Sequence, residues 1–301
     1  MIKSATAALP PWIVALGAIF SVQLSAALSV HLIASVGPAG TAWLRLTAGA
    51  LIFLALARPP LREIRRRDVP GLLALGVTSG LMGVAILGAI ERIPLGTAVA
   101  IGFLGPLTVA AVRSDNRAAM VWPAAAVVGV VLLTEPWKGA INGVGVAFAA
   151  IAGMAWGAYI LLTQRVGDRF SGIKGLTLTV PIAAVTTAFV GIPQASGHFT
   201  IGVVATAVGL ALLFPVVTFA LEMAALRRMT HTAFGTLMAL EPAVGVVLGL
   251  LVLHQKPSII QIAGVLLVVL AGAAAQYGGR RRHPVRDSNH EDPQPTTIPP
   301  S

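Results

Sequence analysis

The 301-residue chain contains no cysteine, which removes disulfides, thiolate nucleophiles and thiolate metal sites at once. Charge is nearly as scarce, with Lys, Arg, Asp and Glu making up 11% of residues against 56% hydrophobic ones. A soluble domain carries about 25% charged residues, so this chain cannot coat a water-facing globule. It reads as a polytopic membrane protein. Catalytic signatures are missing too: there is no GxSxG, HExxH, Walker A or aspartate-rich pyrophosphate motif. Neither an enzymatic reaction nor a cofactor is expected. The formal charge of +10 does not signal a nucleic-acid partner. Its basic residues cap apolar runs instead of forming a stripe interleaved with aromatics.

What the chain does have is ten apolar runs, at about 11–33, 40–57, 69–90, 95–112, 119–133, 144–163, 175–192, 201–226, 232–253 and 259–277. The connections are brief and carry helix breakers, as in Ser35-Val36-Gly37-Pro38, Arg92-Ile93-Pro94 and Gln255-Lys256-Pro257. No cleavable leader stands out before Pro11, so the first run reads as an uncleaved helix. An even number of spans places both termini on one side. The termini and the loops on their side hold 17 Lys and Arg, whereas the opposite loops hold only Arg92, Lys138 and Lys256. That asymmetry predicts cytoplasmic termini. From 278 to 301 the sequence turns basic, polar and proline-rich, a composition that predicts a disordered cytoplasmic tail.

The anomaly is Glu241, set beside Pro242 in the apolar stretch Phe234 to Gly249. It falls about ten residues, or about 15 Å, into its run. Near mid-membrane a carboxylate must face protein or a water-filled cavity, or be protonated. Gly245 and Gly249 lie on the same side of the helix and suit close helix contact. Pro242 also frees a carbonyl one turn back, which something else must satisfy. The stretch has a counterpart: Arg92-Ile93 followed by Leu104-Gly105-Pro106 matches Arg228-Met229 followed by Leu240-Glu241-Pro242 at one constant offset. Five spans separate the copies, and an odd number inverts the second half.

Other polar groups inside the runs are few. Arg45 either snorkels to the interface beside Trp43 or attracts a substrate carboxylate. Glu222 does not share a helix face with Arg227, which leaves a site role or a hydrogen-bonded structural role. Gln23 with Ser21 and Ser25, Trp156, Tyr159, Gln164 and Thr236 could line a cavity, or be packing residues. His31, His254, Glu91 and Glu135 sit at span ends, where solvated polar groups need no special account.

These residues together resemble the EamA-type drug/metabolite transporter superfamily and, within it, the inner-membrane threonine and homoserine exporters. The resemblance is carried by Ala155-Trp156-Gly157-Ala158-Tyr159-Ile160-Leu161 with Gln164-Arg165-Val166-Gly167, by Leu221-Glu222-Met223-Ala224-Ala225-Leu226, and by Phe234 to Ala243. Pro94 to Ala100, Gly105-Pro106-Leu107, Arg45 and Gln23 also fall where the family has similar residues. The sequence departs from the family pattern at Gly102, where related sequences often carry glutamate, and at His254-Gln255, where they often carry Gly-Glu. The resemblance implies a central cavity and export of small amphiphilic metabolites such as amino acids.

The expected fold is all-α and integral to the membrane, with ten transmembrane helices as two inverted five-helix repeats, 11–140 and 141–277. The expected function is secondary export of small metabolites, amino acids such as threonine or homoserine, from a bacterial inner membrane by alternating access. An exporter of drugs or cationic metabolites, and a non-transporting scaffold or receptor, are the alternatives. Candidate substrate-binding or proton-coupling residues are Glu241, Glu222, Arg45, Gln23, Trp156, Tyr159 and Thr236. The expected partners are the lipid bilayer and a small-molecule substrate, with protons as a candidate coupling ion.

Overall fold

The computed structural model describes residues 9–59, 61–113, 120–138, 142–167 and 173–278, the side chains of 61, 164–167, 173, 231, 232, 277 and 278 excepted. The tail from residue 279 on, the side chain of Gln164 and the expected repeat boundary at 140/141 lie outside that description. The described residues hold helices and no strand. Eight helical segments among them are long and apolar enough to cross a membrane.

The first helix, α1, runs Pro11–Leu56 and is bent at Gly37, whose φ of 70° and ψ of 170° leave the helical region. Pro38 follows and cannot donate to the helix behind it. Gln194 repairs the break: its Oε1 accepts from the amides of Ala39 at 2.7 Å and Gly40 at 3.0 Å. A side chain at Gly37 would collide with Gln194 at 2.3 Å, so glycine is needed there for space as well as for φ. The runs expected at 11–33 and 40–57 are therefore two arms of one bent element.

Next come α2 (Val69–Ile90), α3 (Leu95–Val112), a short α4 (Val121–Thr134), α5 (Gly143–Gly167) and α6 (Ile173–Ala195). The eighth run is interrupted. Helix α7 (Ile201–Ala211) passes through a π turn at Leu212–Val217 into α8 (Thr218–Leu226), and Phe214 before Pro215 is extended at φ −139°, ψ 120°. The ninth run is interrupted as well, into α9 (His231–Met238) and α10 (Glu241–Leu253), with a turn between them. Glu241 is thus the first residue of a helix, not an interior one. The last helix, α11, spans Ile259–Gly278.

Carbonyls freed at the α7 to α8 interruption are satisfied by side chains from α1 and from α8 itself. Ser21 Oγ and Thr218 Oγ1 each donate to Leu213 O at 2.9 Å, and Ser25 Oγ donates to Leu210 O at 3.1 Å. Non-helical backbone at this depth needs such partners because lipid offers none. Elsewhere α1 packs on α6 and α10, α2 on α5 and α6, α3 on α5 and α10, and α4 on α11.

One end of the bundle is closed. There Ile33, Ala42, Leu87, Ile90, Ile93, Leu95 and Leu248 form a buried apolar cluster where several helix ends gather. Side-chain ties bridge the connections at this end. Gln255 Oε1 accepts from the Leu95 amide at 3.1 Å, joining the loop after α10 to the start of α3. Glu135, just after α4, accepts from Ser258 Oγ at 2.8 Å and pairs with Lys138 at 2.7 Å. The Lys138 hydrogen bond and the Ser258 hydroxyl hold the Glu135 carboxyl below its ordinary pKa despite some desolvation.

Candidate functional site: a charged cavity inside the bundle

Between the closed cluster and the opposite end lies a cavity of about 380 Å³. Its floor is near Ala42, Leu87 and Val99, and its wall reaches Leu176, Phe234 and Gln276 at the end where the 56–69 and 226–231 connections lie. Six of the seven residues singled out from the sequence line this one space: Gln23, Arg45, Trp156, Tyr159, Glu222 and Glu241. Thr236 does not; it is half-buried on α9, while its neighbours Phe234, Gly235 and Met238 take the wall.

The interruption at Leu240 puts Glu241 at the start of α10, where it is 6% exposed. A carboxylate in the first helical turn faces unpaired backbone amides and the positive end of the helix dipole. Its side-chain partner is Gln23 on α1, whose Nε2 donates to Glu241 Oε2 at 3.4 Å. Further along the same helix, Gly245 lies against Gly96 and Gly249 against Leu95, so small residues bring α10 onto α3.

Arg45 does not snorkel: it is 8% exposed and turns inward. Its Nη1 donates to Ser29 Oγ at 2.8 Å, and its guanidinium lies 5.3 Å from the centre of the Phe214 ring. Ser29 in turn donates to Ser25 O at 2.6 Å. Among the described residues Arg45 has no carboxylate partner, and its Nε and Gln23 Oε1 are buried without a hydrogen bond. Glu222, half-buried on α8, is the second acid on the wall.

The cavity therefore holds one guanidinium and two carboxyls, and one donor and one acceptor on its lining residues are buried without a hydrogen bond. A buried charge without a partner costs several kcal/mol unless water or a ligand compensates it. Such a site suits a molecule carrying both charges. No group of three or more His, Asp or Glu among the described residues is placed to hold a metal ion.

Sequence reasoning missed Ser29, Phe214 and Gln276. Ser29 had a signal, since Ser21, Ser25 and Ser29 recur at four-residue spacing on one helix face. Phe214 had only the following proline. The histidines at 31 and 254 stay off the cavity, His31 being exposed and His254 ending α10 at φ 55°.

Residues 143–274 match the EamA-like transporter family. Over 290 residues the chain is 34% identical to the threonine/homoserine exporter RhtA of Salmonella typhimurium (strain LT2), covering 93% of this chain and 97% of that protein. The threonine/homoserine exporter RhtA of Escherichia coli (strain K12) is 32% identical over 287 residues, covering 92% and 95%. A protein crystal structure that is 16% identical superposes on 88% of this chain and 98% of its own, with a TM-score of 0.61. At that identity the superposition speaks for the fold alone.

Proposed function

The chain belongs to the EamA-like transporter family, and from that premise we propose that it exports amino acids such as threonine or homoserine across a bacterial inner membrane by alternating access. The observation that carries the substrate class is the meeting of Arg45, which lacks an ion pair among the described residues, with Glu222 and Glu241 in one cavity. The substrate carboxylate takes the open guanidinium face of Arg45, and the ammonium group takes Glu241. Gln23 orients Glu241, and Glu222, nearer the end where the 226–231 connection lies, is the candidate for a coupled proton. A purely cationic drug or metabolite would use the two acids and leave Arg45 uncompensated. The zwitterion accounts for all three.

The architecture that goes with this reading is ten spans in two inverted five-helix repeats, 11–140 and 141–277. Counting the two arms of α1 separately and adding α4 to the eight long segments brings the number to ten. The helix contacts support the symmetry. If span n exchanges with span n + 5, the contact of α2 with α5 corresponds to that of the first arm of α1 with α7 and α8. The contact of α3 with α5 likewise corresponds to that of α10 with α1, and both members of each pair occur. The excess of 17 basic residues over 3 supports cytoplasmic termini, which puts the end of the cavity at Leu176, Phe234 and Gln276 on the cytoplasmic side.

The test is flux of labelled threonine in liposomes holding purified wild type, Glu241→Gln or Arg45→Ala, at several pH values. Wild type should exceed empty liposomes, and Glu241→Gln should lose or uncouple flux while staying folded, since the amide keeps the shape but cannot titrate. Wild-type flux no greater than that of empty liposomes, for labelled threonine and labelled homoserine alike, would reject the proposed export. Normal, pH-responsive flux by Glu241→Gln would assign that carboxyl to packing and move the role to Glu222.

A further inference from the structure

Outside the cavity, the densest charge among the described residues is on the connection 57–68 between α1 and α2, which carries Arg58, Arg62, Arg65, Arg66 and Arg67. A segment of that composition could reach into water; here it is held against the bundle. It forms two short turns, Leu61–Glu63 and Arg66–Asp68, and Ile64 between them packs against Leu72 of α2 and against Leu178 and Ile182 of α6. Glu63 pairs with Lys174 at the start of α6 at 3.3 Å, and Asp68 Oδ2 accepts from the Arg65 amide at 2.9 Å. Both acids of the connection are thus engaged. All five arginines are exposed, and none of them pairs with a carboxylate among the described residues. Orientation in the membrane does not call for them, since without these five the side that holds 17 basic residues would still have 12 against 3.

From this arrangement we infer that the 57–68 connection is a docking site for the headgroup of an anionic phospholipid, whose acyl chains lie along the adjoining ends of α1 and α2. Those ends present Leu54, Leu56, Val69 and Leu73, all exposed, directly inside the arginines. Basic groups thus stand over an apolar stem. Ile64 keeps them there, because its partners Leu72 and Leu178 belong to membrane-length helices and draw the connection down to the level where headgroups lie. A phosphodiester supplies the negative charge that Glu63 and Asp68 no longer offer, and guanidinium groups take phosphate in a two-pronged grip. Crowded like charges at a membrane surface attract anionic lipid in the same way. A soluble anion would satisfy the arginines and leave the leucines without a role. A zwitterionic lipid would cover the leucines but bring a cation of its own to the arginines. The anionic lipid accounts for both, and the inference does not depend on which molecule the protein exports.

The experiment uses the full chain in phosphatidylcholine nanodiscs and the absence of native cysteine. Leu56→Cys carries a fluorophore at the site, and Leu251→Cys carries it on the exposed face of α10 near the closed end. The quenchers are phosphatidylglycerol and phosphatidylcholine with brominated acyl chains, titrated separately. Brominated phosphatidylglycerol should quench the label at 56 at about tenfold lower content than brominated phosphatidylcholine, a factor between those for one and two basic residues at an anionic surface. The label at 251 should not distinguish the two lipids. Replacing all five arginines by glutamine should abolish the preference, and the milder pair Arg66→Gln with Arg67→Gln, which serves if the fivefold variant does not fold, should at least halve it. Arg227→Gln with Arg228→Gln, on another connection at the same end, should leave it in place. Equal quenching by the two lipids at 56, or the same preference at 251, overturns the docking site. A preference that survives the glutamine variants of the connection, or that the 227 and 228 pair abolishes as well, overturns its assignment to 57–68. Release of brominated phosphatidylglycerol by soluble glycerol phosphate at matched ionic strength would show a free-anion site and overturn the lipid as occupant.

Discussion

Helix α3 and the pair α9 and α10 carry the same local signal and use it in opposite ways. Leu104-Gly105-Pro106 and Leu240-Glu241-Pro242 both place a proline deep in an apolar run. In α3 the helix runs unbroken from Leu95 to Val112 through Pro106, while in the second copy the chain turns at 239–240 and a new helix starts at Glu241. The difference lies in what stands beside each. Helix α3 is pressed onto α5 backbone to backbone, since Cβ atoms at Gly105 and Gly153 would lie 1.9 Å from Gly153 O and 2.9 Å from Gly102 O. Such contacts hold both helices along their length and bring Cα hydrogens to carbonyls. At Glu241 the side chain meets Gln23 and lines the cavity. Proline alone therefore does not dictate the break; close packing overrides it in one copy and leaves room for a carboxyl in the other.

The comparison breaks most completely at Gly105→Glu, which writes the second copy into the first. With Gly153 O at 1.9 Å from the new Cβ, the variant must separate α3 from α5 and bury a charge between them. The expected outcome is loss of folded protein, read as absence of a monodisperse peak after detergent extraction. Recovery of a stable, monodisperse Gly105→Glu protein would sink the close-packing account. The reverse change, Glu241→Gly, should yield a folded protein without transport. Leaving Gln23 without its partner costs about 1–3 kcal/mol, read as a lower unfolding temperature.

Arg45 sharpens the contrast between the polar wall and the packed one. Arg45→Ala should weaken substrate binding by about 2 kcal/mol or more, about thirtyfold, if the guanidinium holds the substrate carboxylate. Arg45→Lys should recover part of that, since it keeps the charge but loses the geometry toward Ser29 and Phe214. Equal affinity in wild type and Arg45→Ala, measured by titration, would remove Arg45 from the site.

Smaller effects belong to the closed end. Gln255→Ala frees the Leu95 amide and should destabilise by about 0.5–1.5 kcal/mol. It should also raise the reactivity of a cysteine placed near that end, read with an impermeant thiol reagent. The smallest effect concerns Glu135. Its folded pKa is lowered, first by the Lys138 hydrogen bond, so its contribution is present above the unfolded carboxylate pKa and is lost as pH falls through the lowered value. The difference in unfolding temperature between wild type and Glu135→Gln should shrink as pH falls from ~7 to ~3. A constant difference would show that the carboxylate charge contributes nothing there.

Much of this was legible in the chain because the membrane makes composition decisive. Apolar run lengths gave the helices, Gly37-Pro38 marked the bend, and Glu241-Pro242 marked a polar level inside the bundle. Buried polar side chains are rare enough in such a sequence that picking them out nearly picks out the cavity wall. Thr236 was the exception, because threonine is tolerated on any helix face and its type carries no direction. The break at Phe214 was hidden for the converse reason. Pro106 and Pro215 look alike in sequence, and only one of them interrupts its helix.

The sequence by itself determined that the chain is helical, that it lies in a bilayer and that the Glu241 carboxyl sits at mid-membrane depth away from lipid, since each follows from hydropathy and the cost of charge in lipid. It could not determine what the charges inside the runs face, because a helix of apolar residues has no polar side to orient it. Tertiary packing decided that Arg45 turns to Ser29 and Phe214 instead of the interface, and that Glu241 meets Gln23 across 218 positions of sequence. It also decided that Gly102 opens on space while Gly105 closes on α5. Those outcomes depend on distances between helices, and contact between backbones is set by both partners at once.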